Sequence, residues 1–116
     1  MRPRVKVWIE TDDGRVVLSE WRVQLLEAVA EHGSLVAAAK ALAVPHRTAW
    51  QRIQEMESSL GVPLLETSSG GVGGGRSRLS TAARDLIQRY HALRSGLDDL
   101  IIERYRTGFT GPGLSD

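Results

Sequence analysis

Two groups of hydrogen-bond donors give this chain its chemistry. The first is His46, Arg47, Thr48, Gln51 and Arg52, which fall within two turns if the segment is helical. Residues three and four apart share a helix face, so Arg47 stands one turn from Gln51 and Thr48 one turn from Arg52. The second group is Arg76 and Arg78, which point to the same side of a strand. Imidazole, guanidinium, hydroxyl and carboxamide groups in these arrangements donate to anionic oxygens and to the acceptor edges of bases. His46, Arg47 and Gln51 suit base edges, while Arg52, Arg76 and Arg78 suit phosphates. Between the groups lies Gly70-Gly71-Val72-Gly73-Gly74-Gly75. Glycines such as Gly73 and Gly74 let backbone N–H groups approach a phosphate or a narrow groove.

The charge distribution agrees. The net charge is +1. From Lys40 to Arg89, however, seven bases (Lys40, Arg47, Arg52, Arg76, Arg78, Arg84, Arg89) face four acids (Glu55, Glu57, Glu66, Asp85). A basic middle on a near-neutral chain fits a localised polyanion-binding face.

Other chemistries are poorly supplied. With no cysteine, and with His32, His46 and His91 scattered, a zinc site is not expected. No serine, histidine and carboxylate group into a recognisable triad. Gly70 to Ser77 mimics the spacing of a phosphate-binding loop, but a true one needs lysine where Arg76 stands and a helix after it. The chain therefore reads as a binding protein without a cofactor, not an enzyme. No apolar run reaches bilayer length and no signal peptide is visible, so a cytoplasmic protein without a membrane partner is expected.

Local patterns position the donors. Ser34 suits an N-cap, and Leu35, Ala38, Ala39 and Leu42 recur at helical spacing behind it. Ala43-Val44-Pro45 interrupts, and a second amphipathic run buries Ala49, Ile53, Met56 and Leu60. A short helix, a tight connection and a longer helix make a helix-turn-helix, with the donors on the second helix. Trp50 is expected to pack inward, because large core residues are few. Upstream, Val5, Val7 and Ile9 alternate toward an Asp12-Asp13-Gly14 turn, with Arg15 to Leu18 returning as a second strand. Ser19 then caps a helix burying Trp21, Leu25, Ala28 and Val29 that Gly33 ends. Downstream, Leu64 to Thr67 and Arg76 to Leu79 frame the glycines as a wing.

Leu79, Ala83, Leu86, Tyr90, Leu93, Leu97 and Leu100 step by four and three, a heptad seam. A helix from Thr81 to Arg106 would be about 40 Å long, too long to bury on one small domain. Leu86, Tyr90, Leu93, Leu97 and Leu100 are therefore expected to pair two copies. The expected fold is α+β, mainly α: a winged helix-turn-helix with an N-terminal β-hairpin and a long C-terminal dimerisation helix. Residues 1–79 form the binding domain, 80–106 the dimerisation helix and 107–116 a disordered tail.

On these residues the chain resembles the N-terminal DNA-binding domain of ModE-type molybdate-responsive regulators, and more distantly the winged helix of LysR-type regulators. The likeness rests on Gly33-Ser34 before an alanine-rich helix, Ala49-Trp50 with Ile53, Gly61-Val62-Pro63-Leu64, the glycine cluster, and Leu79-Ser80-Thr81. It implies a homodimeric, sequence-specific regulator that binds double-stranded DNA. Its recognition helix would enter the major groove, with Ser34, His46, Arg47, Thr48, Gln51, Arg52, Gly73, Gly74, Arg76 and Arg78 at the contact. Pro45 and His46 replace a polar and an aromatic residue usual in that family, so base preference does not carry over. The family's oxyanion-binding domains have no counterpart in this sequence, so molybdate binding by this chain is not expected. The alternative is a dimeric winged-helix adaptor that binds protein rather than DNA.

Overall fold

The computed structural model describes residues 1–68 and 75–114. Strands β1 (Trp8–Glu10) and β2 (Val16–Ser19) pair antiparallel. Their turn is closed by Thr11, whose N–H donates to the Arg15 carbonyl at 2.8 Å and whose carbonyl accepts from Gly14 at 2.9 Å. A register shift between Ile9 and Glu10 bends the ribbon, so the expected alternation holds only in part. Val7 packs on the core, whereas Ile9 is exposed.

Helix α1 (Glu20–His32) starts where Ser19 Oγ accepts from the Arg22 N–H at 3.2 Å. It ends at Gly33, which takes φ +80° and donates to the Val29 carbonyl. The sequence pattern names one buried side, but Val23, Leu26 and Arg22 are buried as well, and Trp21 only half so. The reason is position: α1 is covered by β2 and by three further elements, α2 (Leu35–Ala41), β4 (Arg76–Leu79) and α4 (Thr81–Arg94).

The helix-turn-helix forms as its residues suggest. Ser34 Oγ accepts from the Ala37 N–H at 3.0 Å and opens α2. Helix α3 (His46–Leu60) follows Pro45 and buries Ala49, Ile53 and Met56. Ala38, Ala39 and Ala49 are almost wholly buried, and their small side chains let α2 and α3 approach closely. The turn between them is a Schellman motif: Val44 N–H reaches the Ala39 carbonyl and Ala43 N–H the Lys40 carbonyl. Ala43 consequently stands at φ +57°, in the left-handed region where a Cβ is strained. Ala43→Gly should therefore raise stability by about 1 kcal/mol, read as a higher denaturant midpoint with an unchanged slope. A lower midpoint would show that the turn is not strained.

Strand β3 (Leu65–Ser68) pairs with β4 in the register Leu65↔Leu79 to Ser68↔Arg76. Ser80 joins this hairpin to α4: its Oγ accepts from Ala83 N–H at 3.1 Å and donates to the Pro63 carbonyl at 2.8 Å. Its own N–H meets the Leu64 carbonyl at 2.9 Å.

The expected single C-terminal helix is two. After α4 the chain breaks at Ser95-Gly96, with Gly96 at φ +80°, and resumes as α5 (Leu97–Gly108). A left-handed residue interrupts the i→i−4 ladder even though the leucine spacing continues across it. The expected boundary after residue 79 also falls inside one packed unit, because Leu79, Ala83 and Tyr90 share the core with α1 and α3. Tyr90 is buried rather than at an exposed seam, and its hydroxyl donates to the Val7 carbonyl at 2.7 Å. Arg94 likewise donates to the Val5 carbonyl at 2.8 Å and pairs with Asp98 across the break at 2.9 Å. Of the tail expected to be disordered, residues 107–114 are described: Phe109 stacks on Tyr105, whose hydroxyl donates to the Leu114 carbonyl. Helix α5 contributes no buried residue, and the molecule extends over 63 × 29 × 22 Å.

Candidate nucleic-acid interface

The donors of α3 divide into free and committed groups. His46, Arg47 and Gln51 are exposed, and none of their side chains makes a hydrogen bond or ion pair among the described residues. Thr48 is half-buried beside them. Arg52, expected to hold phosphate, is half-buried and has a partner within the protein. It donates to both oxygens of Glu55, one turn on, at 2.8 and 3.1 Å.

Glu55 also faces Arg22 at 3.5 Å, and Arg22 donates to the Val16 and Val17 carbonyls at 3.1 and 3.4 Å. Burial pulls the Arg22 guanidinium below its ordinary pKa, with Glu55 opposing that pull. The arrangement ties α3 to α1 and the first hairpin. The i,i+3 spacing of Arg52 and Glu55 signals part of this link in the sequence. The partnership with Arg22, 33 residues away, has no local signal. Glu57, half a turn further along α3, does a similar task. Its Oε2 accepts from Leu64 N–H at 2.7 Å and Leu65 N–H at 3.4 Å, holding the root of the wing.

On the wing, Arg76 is exposed and without an ion pair among the described residues. Arg78, expected to meet phosphate, pairs with Glu66 across the hairpin at 2.9 Å. Both side chains are exposed, so the pair adds little stability and can open for another anion. Ser77 N–H donates to the Gly33 carbonyl at 3.0 Å, fixing β4 beside the start of α2. Ser34 serves as a cap, its Oγ occupied by Ala37. Gly73 and Gly74 lie outside the described residues.

Trp50 reverses its expected role. It is 51% exposed, because Ala49, Ile53 and Met56 already fill the inward face of α3. With Val36, His46, Gln54, Thr67 and Ser77 it lines a cleft of about 550 Å³ between α2, α3 and the wing.

The proposed pairing residues separate too. Tyr90 belongs to the core and Leu86 packs half-buried against it. Leu93 and Leu100 are 52% and 42% exposed, with Leu97 half-buried between them. No helix among the described residues is long and apolar enough to cross a membrane. The glycine-rich run is followed by β4, not by the helix a phosphate-binding loop requires.

Residues 22–84 match the family model for bacterial regulatory helix-turn-helix proteins of the lysR family. The chain is 34% identical over 76 residues to the molybdenum-pterin-binding protein MopA of Rhodobacter capsulatus, covering 66% of this chain and 29% of MopA. It is 35% identical over 96 residues to the molybdenum transport protein ModE of Azotobacter vinelandii, covering 79% of this chain and 35% of that protein. The chain thus spans about a third of the length of these curated relatives. Among solved structures it is similar to the CbnR DNA-binding domain in complex with DNA. There the identity is 30% and the TM-score 0.56, over 75% of this chain and 93% of the other.

Proposed function

The chain belongs to the lysR family of bacterial regulatory helix-turn-helix proteins, and from that premise we propose that it is a transcription regulator that binds double-stranded DNA as a homodimer. The observation that carries the reading is the uncommitted row of His46, Arg47 and Gln51 at the leading end of α3, with Arg76 of the wing on the same molecule. Resemblance to MopA and ModE, and to a domain solved on DNA, supports it. In this reading α3 enters the major groove and the wing meets the backbone. Two copies then meet half-sites about 34 Å apart, one turn of B-DNA, or a multiple of that spacing. The exposed leucines of α4 and α5 support the pairing.

A protein-interaction adaptor on the same fold is the weaker reading, since it gives no role to free cationic donors on α3 and the wing. The two separate by salt: a DNA binder loses retention on random duplex steeply as salt rises, through counterion release. Retention without salt dependence would overturn the proposal.

The residues also separate by role. On a duplex selected from random sequences, Arg47→Ala should cost about 1–3 kcal/mol and relax preference at one base position. Arg76→Ala should weaken all sequences alike and flatten the salt slope by about one unit. Titrations of both variants on selected and scrambled duplexes make the comparison. If Arg47→Ala changes neither affinity nor preference while circular dichroism shows an intact fold, the recognition face lies elsewhere.

A further inference from the structure

We propose that Trp50, with Val36 beside it in the cleft, reads the C5-methyl group of a thymine next to the base position facing Arg47. The inference rests on the DNA-binding reading above and specifies what part of the duplex this surface takes. Three observations carry it.

First, Trp50 presents a large apolar face to solvent from the recognition helix itself, one turn beyond His46 and adjacent to Gln51. Val36, 61% exposed near the start of α2, lines the same cleft. Two exposed apolar groups in one concavity lower their free energy when an apolar group fills it.

Second, the surroundings limit what the occupant is. Arg47 stands one turn before Gln51 on α3, and Arg76 lies on the wing strand that supplies Ser77 to the cleft wall. Both arginines flank the cleft rather than line it, and neither is neutralised by an ion pair among the described residues. Glu57, which does line it, is engaged by the Leu64 and Leu65 N–H groups, so an apolar group carried on a polyanion suits the cleft and the cations beside it.

Third, the major groove of duplex DNA offers one such group. Every other major-groove base feature named in the recognition code is a hydrogen-bond donor or acceptor, whereas the thymine methyl is apolar. The indole N–H of Trp50 has no hydrogen-bond partner among the described residues, which leaves it free for the neighbouring thymine O4.

The test uses the full chain and the selected duplex, with each thymine replaced in turn by deoxyuridine, which removes only the methyl. Wild type should lose about fourfold in affinity at one position per half-site, the worth of burying one methyl group. Trp50→Ala should bind the thymine duplex more weakly by at least that factor and be indifferent to the replacement. Trp50→Phe, which keeps an aromatic face, should retain sensitivity. Wild-type binding that is steeply salt-dependent yet indifferent to every deoxyuridine overturns this proposal and leaves DNA binding standing. Equal sensitivity in Trp50→Ala overturns it too. Absence of any duplex binding overturns the functional reading and this inference together.

Discussion

Leu93→Asp should convert the protein to monomers and lower its affinity for a two-half-site duplex by about 100-fold or more, the order by which linked binding exceeds single binding. Leu93 near the end of α4 and Leu100 on α5 expose apolar side chains, and no residue of α5 is fully buried within its own chain. A second copy covering that surface removes it from water; an aspartate at Leu93 would instead bury an unpaired charge. The fold of the head should persist, because Leu93 is not among its core residues. Sedimentation of wild type and variant at tens of micromolar, roughly the range that resolves a modest interface, makes the comparison. A monomeric wild type, or a variant that still sediments as a dimer, would sink the pairing surface.

Tyr90→Ala should act quite differently and lower stability by about 3–5 kcal/mol, the usual cost of emptying a buried aromatic site. The ring is 2% exposed and packed with the core, and the hydroxyl holds the Val7 carbonyl. Burial raises the phenol pKa, so it remains a proton donor at neutral pH. Tyr90→Phe should cost only about 1 kcal/mol, from the bond lost to that carbonyl. Neither loss should depend on protein concentration. If instead the deficit shrinks as concentration rises, Tyr90 is an interface residue after all. Denaturant melts of both variants over a hundredfold concentration range decide between these outcomes.

The parts legible in the sequence were those written locally. Ser19, Ser34 and Ser80 announce helix starts because a hydroxyl cap acts on an N–H only two or three residues away. The wing strands were legible because short apolar alternation flanks a run of glycines. Gly96 marks a weak point of the long helix in the sequence, but not a full break: side-chain spacing from Leu79 to Leu100 continues a heptad, and spacing carries no information about φ. The exposure of Trp50 and the partner of Arg52 are hidden for a shared reason. Residue type alone puts the aromatic inside and leaves the cation unpaired, but a filled inward face expels the first, and Glu55, itself facing Arg22, pairs with the second. Those partners come together only in the folded chain.

Gly96 also has a mechanical consequence. In a dimer joined through α5, the torsions at Gly96, with the Arg94–Asp98 pair that spans the break, would set the angle between each reading head and the shared stalk. Helix α5 has 12 residues, so it is a lever about 18 Å long, and a turn of about 10° at its base moves the far end by about 3 Å. That displacement is close to the 3.4 Å rise of one base step along a DNA strand. In the proposed dimer on DNA, the spacing between half-sites would then respond to a residue outside the proposed reading face, and a side chain at Gly96 would alter operator length without altering operator letters.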